Sequence, residues 1–228
     1  MKKAVAVISL IIGIIILCTG CADIISKIMG LSTPVLDPVI PVGGGVVSGD
    51  GKADEYSFTP GNTGIWTFEV TEEGDGGFTL EITHPDGLVS TGSGYNGFYL
   101  LEGTTYKIIM GVWTYSAGYK NSYILTVSPA DIIPGSGGEL YVNRNTIYSF
   151  KPDRTEIWTF QTQSSDNEPF INIKDVINSE PIAYNKKGTD DGNAFITVEL
   201  KEEITYMIEV GCFSVNFEGF TLTVKSAD

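Results

Sequence analysis

The segment Tyr56–Phe68 of this 228-residue chain recurs 92 residues later as Tyr148–Phe160, with nine of thirteen positions identical. Both copies read Tyr-Ser-Phe, then a polar stretch with a proline, then Ile-Trp-Thr-Phe. More matches follow in the same order. Thr105-Tyr106 with Gly111 recurs as Thr205-Tyr206 with Gly211, and Leu125-Thr126-Val127 as Leu222-Thr223-Val224. Val39-Ile40-Pro41 recurs as Ile132-Ile133-Pro134. Ordered self-similarity of this kind marks one structural unit built twice. Each unit has about 90–100 residues, a length that buries a core without disulfide or metal staples.

Inside the repeat the apolar residues alternate. Tyr56 and Phe58 flank Ser57, and Trp66, Phe68 and Val70 share a face opposite Thr67 and Glu69. Phe78, Leu80 and Ile82 alternate with Thr79, Glu81 and Thr83, as do Tyr123, Leu125 and Val127 with Ile124 and Thr126. A period of two predicts strands with one buried face. Such faces leave water by packing on one another. The expected fold class is therefore all-β, with two tandem antiparallel β-sandwich, jelly-roll-like domains of roughly seven or eight strands each. His84-Pro85-Asp86-Gly87 reads as a tight turn, with Pro fixing φ at the second position. The second copy has no such turn, and Lys186–Gly192 reads as a polar loop, so its strands over 175–192 stay unassigned.

The N-terminus sets the compartment. Met1-Lys2-Lys3 is positive, Ala4–Leu17 is apolar, and Cys18-Thr19-Gly20-Cys21 follows. The apolar run is short for a spanning helix and has the flanks of a signal peptide. Its end resembles a bacterial lipobox, with Gly20 as the small residue before the cut and Cys21 as the modified residue. Cys18 stands where leucine is usual, with Leu17 one position earlier. The resemblance implies a chain anchored through lipid on Cys21 to a bacterial membrane, in the cell envelope outside the cytoplasm. The expected organisation is a signal peptide over 1–20, a lipidated tether over 21–41, and sandwiches over 42–129 and 130–228. Ile24–Leu31 is apolar enough for a short helix near the membrane, and Pro34, Pro38 and Pro41 keep the tether extended.

Without the leader the chain carries 12 basic against 28 acidic residues, a net charge of −16. Such a surface repels phosphate backbones, which argues against a nucleic-acid partner, and it keeps the protein dispersed. With Cys18 removed and Cys21 lipidated, Cys212 is alone and forms no internal disulfide. Its apolar setting, Glu209-Val210-Gly211-Cys212-Phe213, reads as core.

Three stretches together resemble the bacterial pre-peptidase C-terminal domain family. They are Asp54–Phe58 followed by a Gly/Pro turn and a Trp-Thr-Phe strand, Leu80–Gly87 ending in Pro-Asp-Gly, and Leu101–Ile108 followed by Tyr123–Val127. The first copy matches along most of its length, and the second departs between Asp175 and Gly192. The resemblance implies small jelly-roll sandwiches with accessory, binding or stabilising roles. Some relatives bind calcium near the first strands, which makes Asp50, Asp54 and Glu55, with Asp75, the candidate metal ligands and calcium the one cofactor to test.

No catalytic set is visible. The sole histidine, His84, sits in the turn before Pro85, without a Gly-x-Ser-x-Gly elbow or a zinc-ligand pattern. Aromatic residues give the best binding candidates. Trp113, Tyr115 and Tyr119 read as loop-borne, and exposed rings there suit a glycan or a protein partner. Trp66, Trp158, Phe98, Tyr99 and Tyr123 read as core. The expected function is non-catalytic binding of a glycan or an envelope protein. The alternative is an accessory subunit of an envelope complex or secreted-enzyme system.

Overall fold

The computed structural model describes residues 38–49, 54–73, 77–87, 89–92, 94–113, 122–164, 168–176, 181–186, 192–213 and 218–227. The expected Cys21 lipidation site, the tether up to Asp37 and its short helix lie outside the described residues.

The first half contributes β1 (Val39–Ile40), β2 (Gly45–Gly49), β3 (Asp54–Phe58), β4 (Gly64–Glu73), β5 (Gly77–Thr83), β6 (Val89–Gly92), β7 (Tyr95–Leu100), β8 (Tyr106–Trp113) and β9 (Ser122–Pro129). The second half contributes β10 (Asp131–Ile133), β11 (Gly138–Val142), β12 (Thr146–Phe150), β13 (Glu156–Gln163), β14 (Pro169–Asp175), β15 (Pro181–Lys186), β16 (Phe195–Leu200), β17 (Tyr206–Cys212) and β18 (Phe220–Ser226). In the first half, a sheet ordered β1-β3-β8-β5-β6 faces one ordered β2-β9-β4-β7. The second half repeats this as β10-β12-β17-β14-β15 and β11-β18-β13-β16. Leaving out the short parallel strands β1 and β10, each half is an eight-stranded jelly roll. The all-β expectation holds, with nine described strands per copy once β1 and β10 are counted. Val39–Ile40 already pairs with Ser57–Phe58, so the compact unit begins at Pro38, within the stretch expected as tether.

Each half has its own core. Phe58 meets Trp66 and Phe68 edge-on at 4.9 and 6.3 Å between ring centres. Phe150 meets Trp158 and Phe160 in the same way at 5.0 and 5.8 Å. Such pairs contribute about 0.5–1.5 kcal/mol each beyond their burial. The alternation read from the sequence places Phe78, Leu80, Ile82, Tyr123, Leu125 and Val127 inward and buried, and Cys212 is buried as well.

The polar fastenings repeat too. The Tyr106 hydroxyl accepts the Leu101 amide at 2.9 Å, and Tyr206 accepts the Lys201 amide at 3.0 Å. Thr63 and Thr155 accept the amides of Glu102 and Glu202. Gly44 (φ 89°) and Gly137 (φ 80°) close matching turns onto the carbonyls of Pro41 and Pro134. A side chain on either would strike the carbonyl of Val127 or Val224, so both the left-handed backbone and the close approach require glycine.

The two jelly rolls are docked. The outer face of β4 and β7 packs on β12, and Ile65, Ala130, Ile147, Val176 and Met207 form a small apolar cluster with Tyr95. Gly97 makes the approach possible. A Cβ there would stand 3.0 Å from the Ile147 side chain and 3.2 Å from the Met207 sulfur. Arg144 Nη1 reaches both oxygens of Glu69 at 3.0 and 3.2 Å beside the cluster.

The same positions on the free faces are different. Glu55 and Lys107, paired at 2.8 Å, stand in the first sandwich where the second has Ile147 and Met207. Thr197 stands where the first has Gly97.

Candidate functional site

Strand register fixes where the expected aromatic surface falls. Trp113 is the last residue of β8 and pairs with Gly77, so it belongs to a strand end and not to a loop. Tyr115 and Tyr119 lie outside the described residues. Phe98 faces inward and packs on the first core. Tyr99, expected in that core, points the other way and is 36% exposed. It is paired with Ile65, which is also on the outer face, whereas Phe98 is paired with the inward Trp66.

The expected metal ligands are partly described. Asp54 and Glu55 are neighbours on β3, so their side chains leave opposite faces of the sheet. Asp54 turns inward and accepts a 2.7 Å hydrogen bond from the Tyr123 hydroxyl, which lies 2.7 Å from that of Tyr56. Glu55 turns outward to Lys107. Asp50 and Asp75 lie outside the described residues. Among the described residues, no three His, Cys, Asp or Glu side chains converge as a metal site.

The Tyr–Tyr–Asp chain exists only in the first copy, because Thr146 and Phe220 replace Asp54 and Tyr123 in the second. Burial pushes the Tyr123 hydroxyl far above its ordinary range, and its hydrogen bonds to Tyr56 and Asp54 push it further. Tyr56 is also raised, chiefly by burial, with the hydrogen bond to Tyr123 opposing and the Asp54 charge adding.

His84 occupies the expected turn, closed by the Gly87 amide on the His84 carbonyl at 2.8 Å. Its Nδ1 lies 2.7 Å from Asp86 Oδ1, and its ring stands edge-on to Tyr106 at 5.2 Å. Among the described residues His84 hydrogen-bonds within its own turn and to no serine, threonine or cysteine side chain.

His84 does, however, line a cleft of about 440 Å³ at the junction of the two jelly rolls. The first jelly roll supplies Ser90, Thr91, Phe98, Tyr99 and Tyr106, and the second supplies Lys174, Asp175 and Met207. The cleft opens beside β6 and β7, the edge strands of the two sheets of the first sandwich. In the second sandwich the equivalent edge strands β15 and β16 lie in contact. No local motif marks Ser90, Thr91, Lys174 or Asp175. They meet only because Gly97 lets the halves dock, and that signal is long-range.

No family model matches the chain, and no curated protein matches it either. Among solved structures, the CUB1-EGF-CUB2 domains of rat MASP-1 are similar at 6% identity and a TM-score of 0.27, over 82% of this chain and 99% of that one. The N-terminal CBM22-1-CBM22-2 tandem domain of Xyn10C from Paenibacillus barcinonensis is similar at 6% identity and a TM-score of 0.24, over 81% of this chain and 87% of that one. At such scores these likenesses carry no argument about function.

Proposed function

We propose that this chain is a lipid-anchored binding protein of the bacterial cell envelope, held outside the cytoplasm through Cys21. In this reading its two jelly rolls are diverged copies of a pre-peptidase C-terminal-like domain. They bind a glycan or a protein without turning it over. The observation that carries the reading is the junction cleft. It is concave, of ligand size, and lined by both copies with rings and hydroxyls, and among the described residues its one histidine hydrogen-bonds to no serine, threonine or cysteine side chain. Sites of this kind hold ligands by shape and hydrogen bonding.

A second reading, docking to an envelope complex as an accessory subunit, has one observation in its favour. Ile157 is 50% exposed and Phe195 39%, and they hold the positions that Ile65 and Tyr95 fill at the junction.

Two assays test the proposal on the full chain. Incorporation of labelled fatty acid is expected in the native protein and absent in Cys21→Ala. Incorporation in both would remove the anchor. The detergent-solubilised protein, applied to an oligosaccharide array and used for envelope pulldown, is expected to retain a ligand unchanged. A processed product that no longer forms in His84→Ala would overturn the non-catalytic reading.

A further inference from the structure

We infer that the junction cleft is the ligand site and that it takes a neutral, polyhydroxylated ligand, the exposed end of a glycan. This rests on the binding reading above and gives it a place and a chemistry.

Charge excludes the alternatives first. Lys174, the lysine lining the cleft, is already paired with Glu209 at 3.2 Å, and His84 Nδ1 is held by Asp86. The chain as a whole carries −14. An anionic ligand would meet no uncommitted lysine there and an unfavourable field. An apolar ligand fits no better, because the walls mix Phe98 and Leu100 with the hydroxyls of Ser90 and Thr91. Such polar groups would lose water without gaining partners.

A sugar end matches what remains. Ser90 and Thr91 lie on β6 and are exposed, and a hydroxyl both donates and accepts, as sugar hydroxyls do. Tyr99 presents a partly exposed ring with its own hydroxyl on β7, at the edge of the facing sheet, a surface on which the C–H face of a sugar can lie. The cleft of about 440 Å³ is in the range of small-ligand sites. Both copies contribute, so the ligand would bridge the two jelly rolls. In the second copy the equivalent edge strands, β15 and β16, lie in contact.

The test uses the detergent-solubilised full chain on immobilised neutral oligosaccharides built from glucose, mannose, xylose, galactose or N-acetylglucosamine, beside a matched sulphated and carboxylated set. The native protein is expected to retain at least one neutral probe. Ser90→Trp, which fills the cleft, and Tyr99→Ala, which removes the stacking ring, are each expected to weaken that binding at least tenfold. Ser90 is exposed, so the melting midpoint of its variant is expected to stay put, and Tyr99→Ala is assayed well below its own midpoint so that lost binding is not lost fold. Trp113→Ala is expected to bind as the native protein does. Binding that survives both cleft variants and falls with Trp113→Ala would overturn the cleft while leaving the binding function intact. Preference for the charged set would overturn the ligand chemistry. No binding to any probe would overturn the inference as a whole, and the pulldown would then decide the broader reading.

Discussion

Replacing Ile147 and Met207 by Glu and Lys would write onto the second sandwich the pair that the first already carries on its free face as Glu55 and Lys107. The structure supplies its own reference for the cost. Ile147 is 2% and Met207 7% exposed at the junction, whereas Glu55 and Lys107 at the uncovered equivalents are 45% and 46% exposed. Docking therefore hides about half of each side chain. Full burial of an Ile or Met stabilises by about 1.5–3 kcal/mol, so the pair contributes about 1.5–3 kcal/mol to the junction. Ile65 adds about 1 kcal/mol on the same reasoning, since it is 3% exposed and its free counterpart Ile157 is 50%. In the double variant two charges would have to leave water for the faces to close, so the junction opens instead. Each sandwich should still fold, because the first tolerates the same pair. Calorimetry should show the coupled wild-type transition split, with the less stable half melting roughly 10 °C or more lower. Ile157→Glu, on the free face, should leave the midpoint nearly unchanged. A double variant that melts in one transition at the wild-type midpoint would refute the reasoning.

Three further outcomes are expected. Tyr56, Tyr95, Tyr123 and Tyr148 all have hydroxyls raised mainly by burial. The unfolded chain releases those protons first, so stability is complete below about pH 10 and falls as the pH rises further. Thermal melts across pH 7–12 should show this fall, and Tyr123→Phe should flatten it; an unchanged slope would contradict the buried network. Tyr106→Phe and Tyr206→Phe should each cost about 0.5–1.5 kcal/mol by removing the hydrogen bond to the Leu101 or Lys201 amide, and denaturant unfolding that finds one costly and the other neutral would deny their equivalence. Melts with and without EDTA should coincide, because Asp54 and Glu55 are turned apart and engaged by Tyr123 and Lys107; a drop with chelator would show a bound ion and contradict this.

Much of the core was legible because strand periodicity is local. Phe78, Leu80 and Ile82 alternate in the sequence and are buried in the structure. The repeat carried the jelly-roll pairing twice, down to Tyr106 and Tyr206 on equivalent amides. Misreadings arose where facing depends on a partner strand. Tyr99 belongs to the outer face because it is paired with Ile65, and Trp113 is fixed in β8 by Gly77. Lys186, read as the start of a polar loop, closes β15 opposite Phe170. The cleft was invisible, since Ser90 and Lys174 are brought together by the docking of two units and no spacing in the sequence encodes that.

The most direct measurement is a set of nuclear Overhauser contacts between Gly97 α-protons and the methyl groups of Ile147 and Met207 in selectively labelled protein. These residues lie in different copies of the repeat, and the Cβ position of Gly97 is 3.0 Å from Ile147 and 3.2 Å from the Met207 sulfur. Two docked jelly rolls predict strong cross-peaks from Gly97 to both side chains. Their absence, with the two halves tumbling independently, would contradict the account.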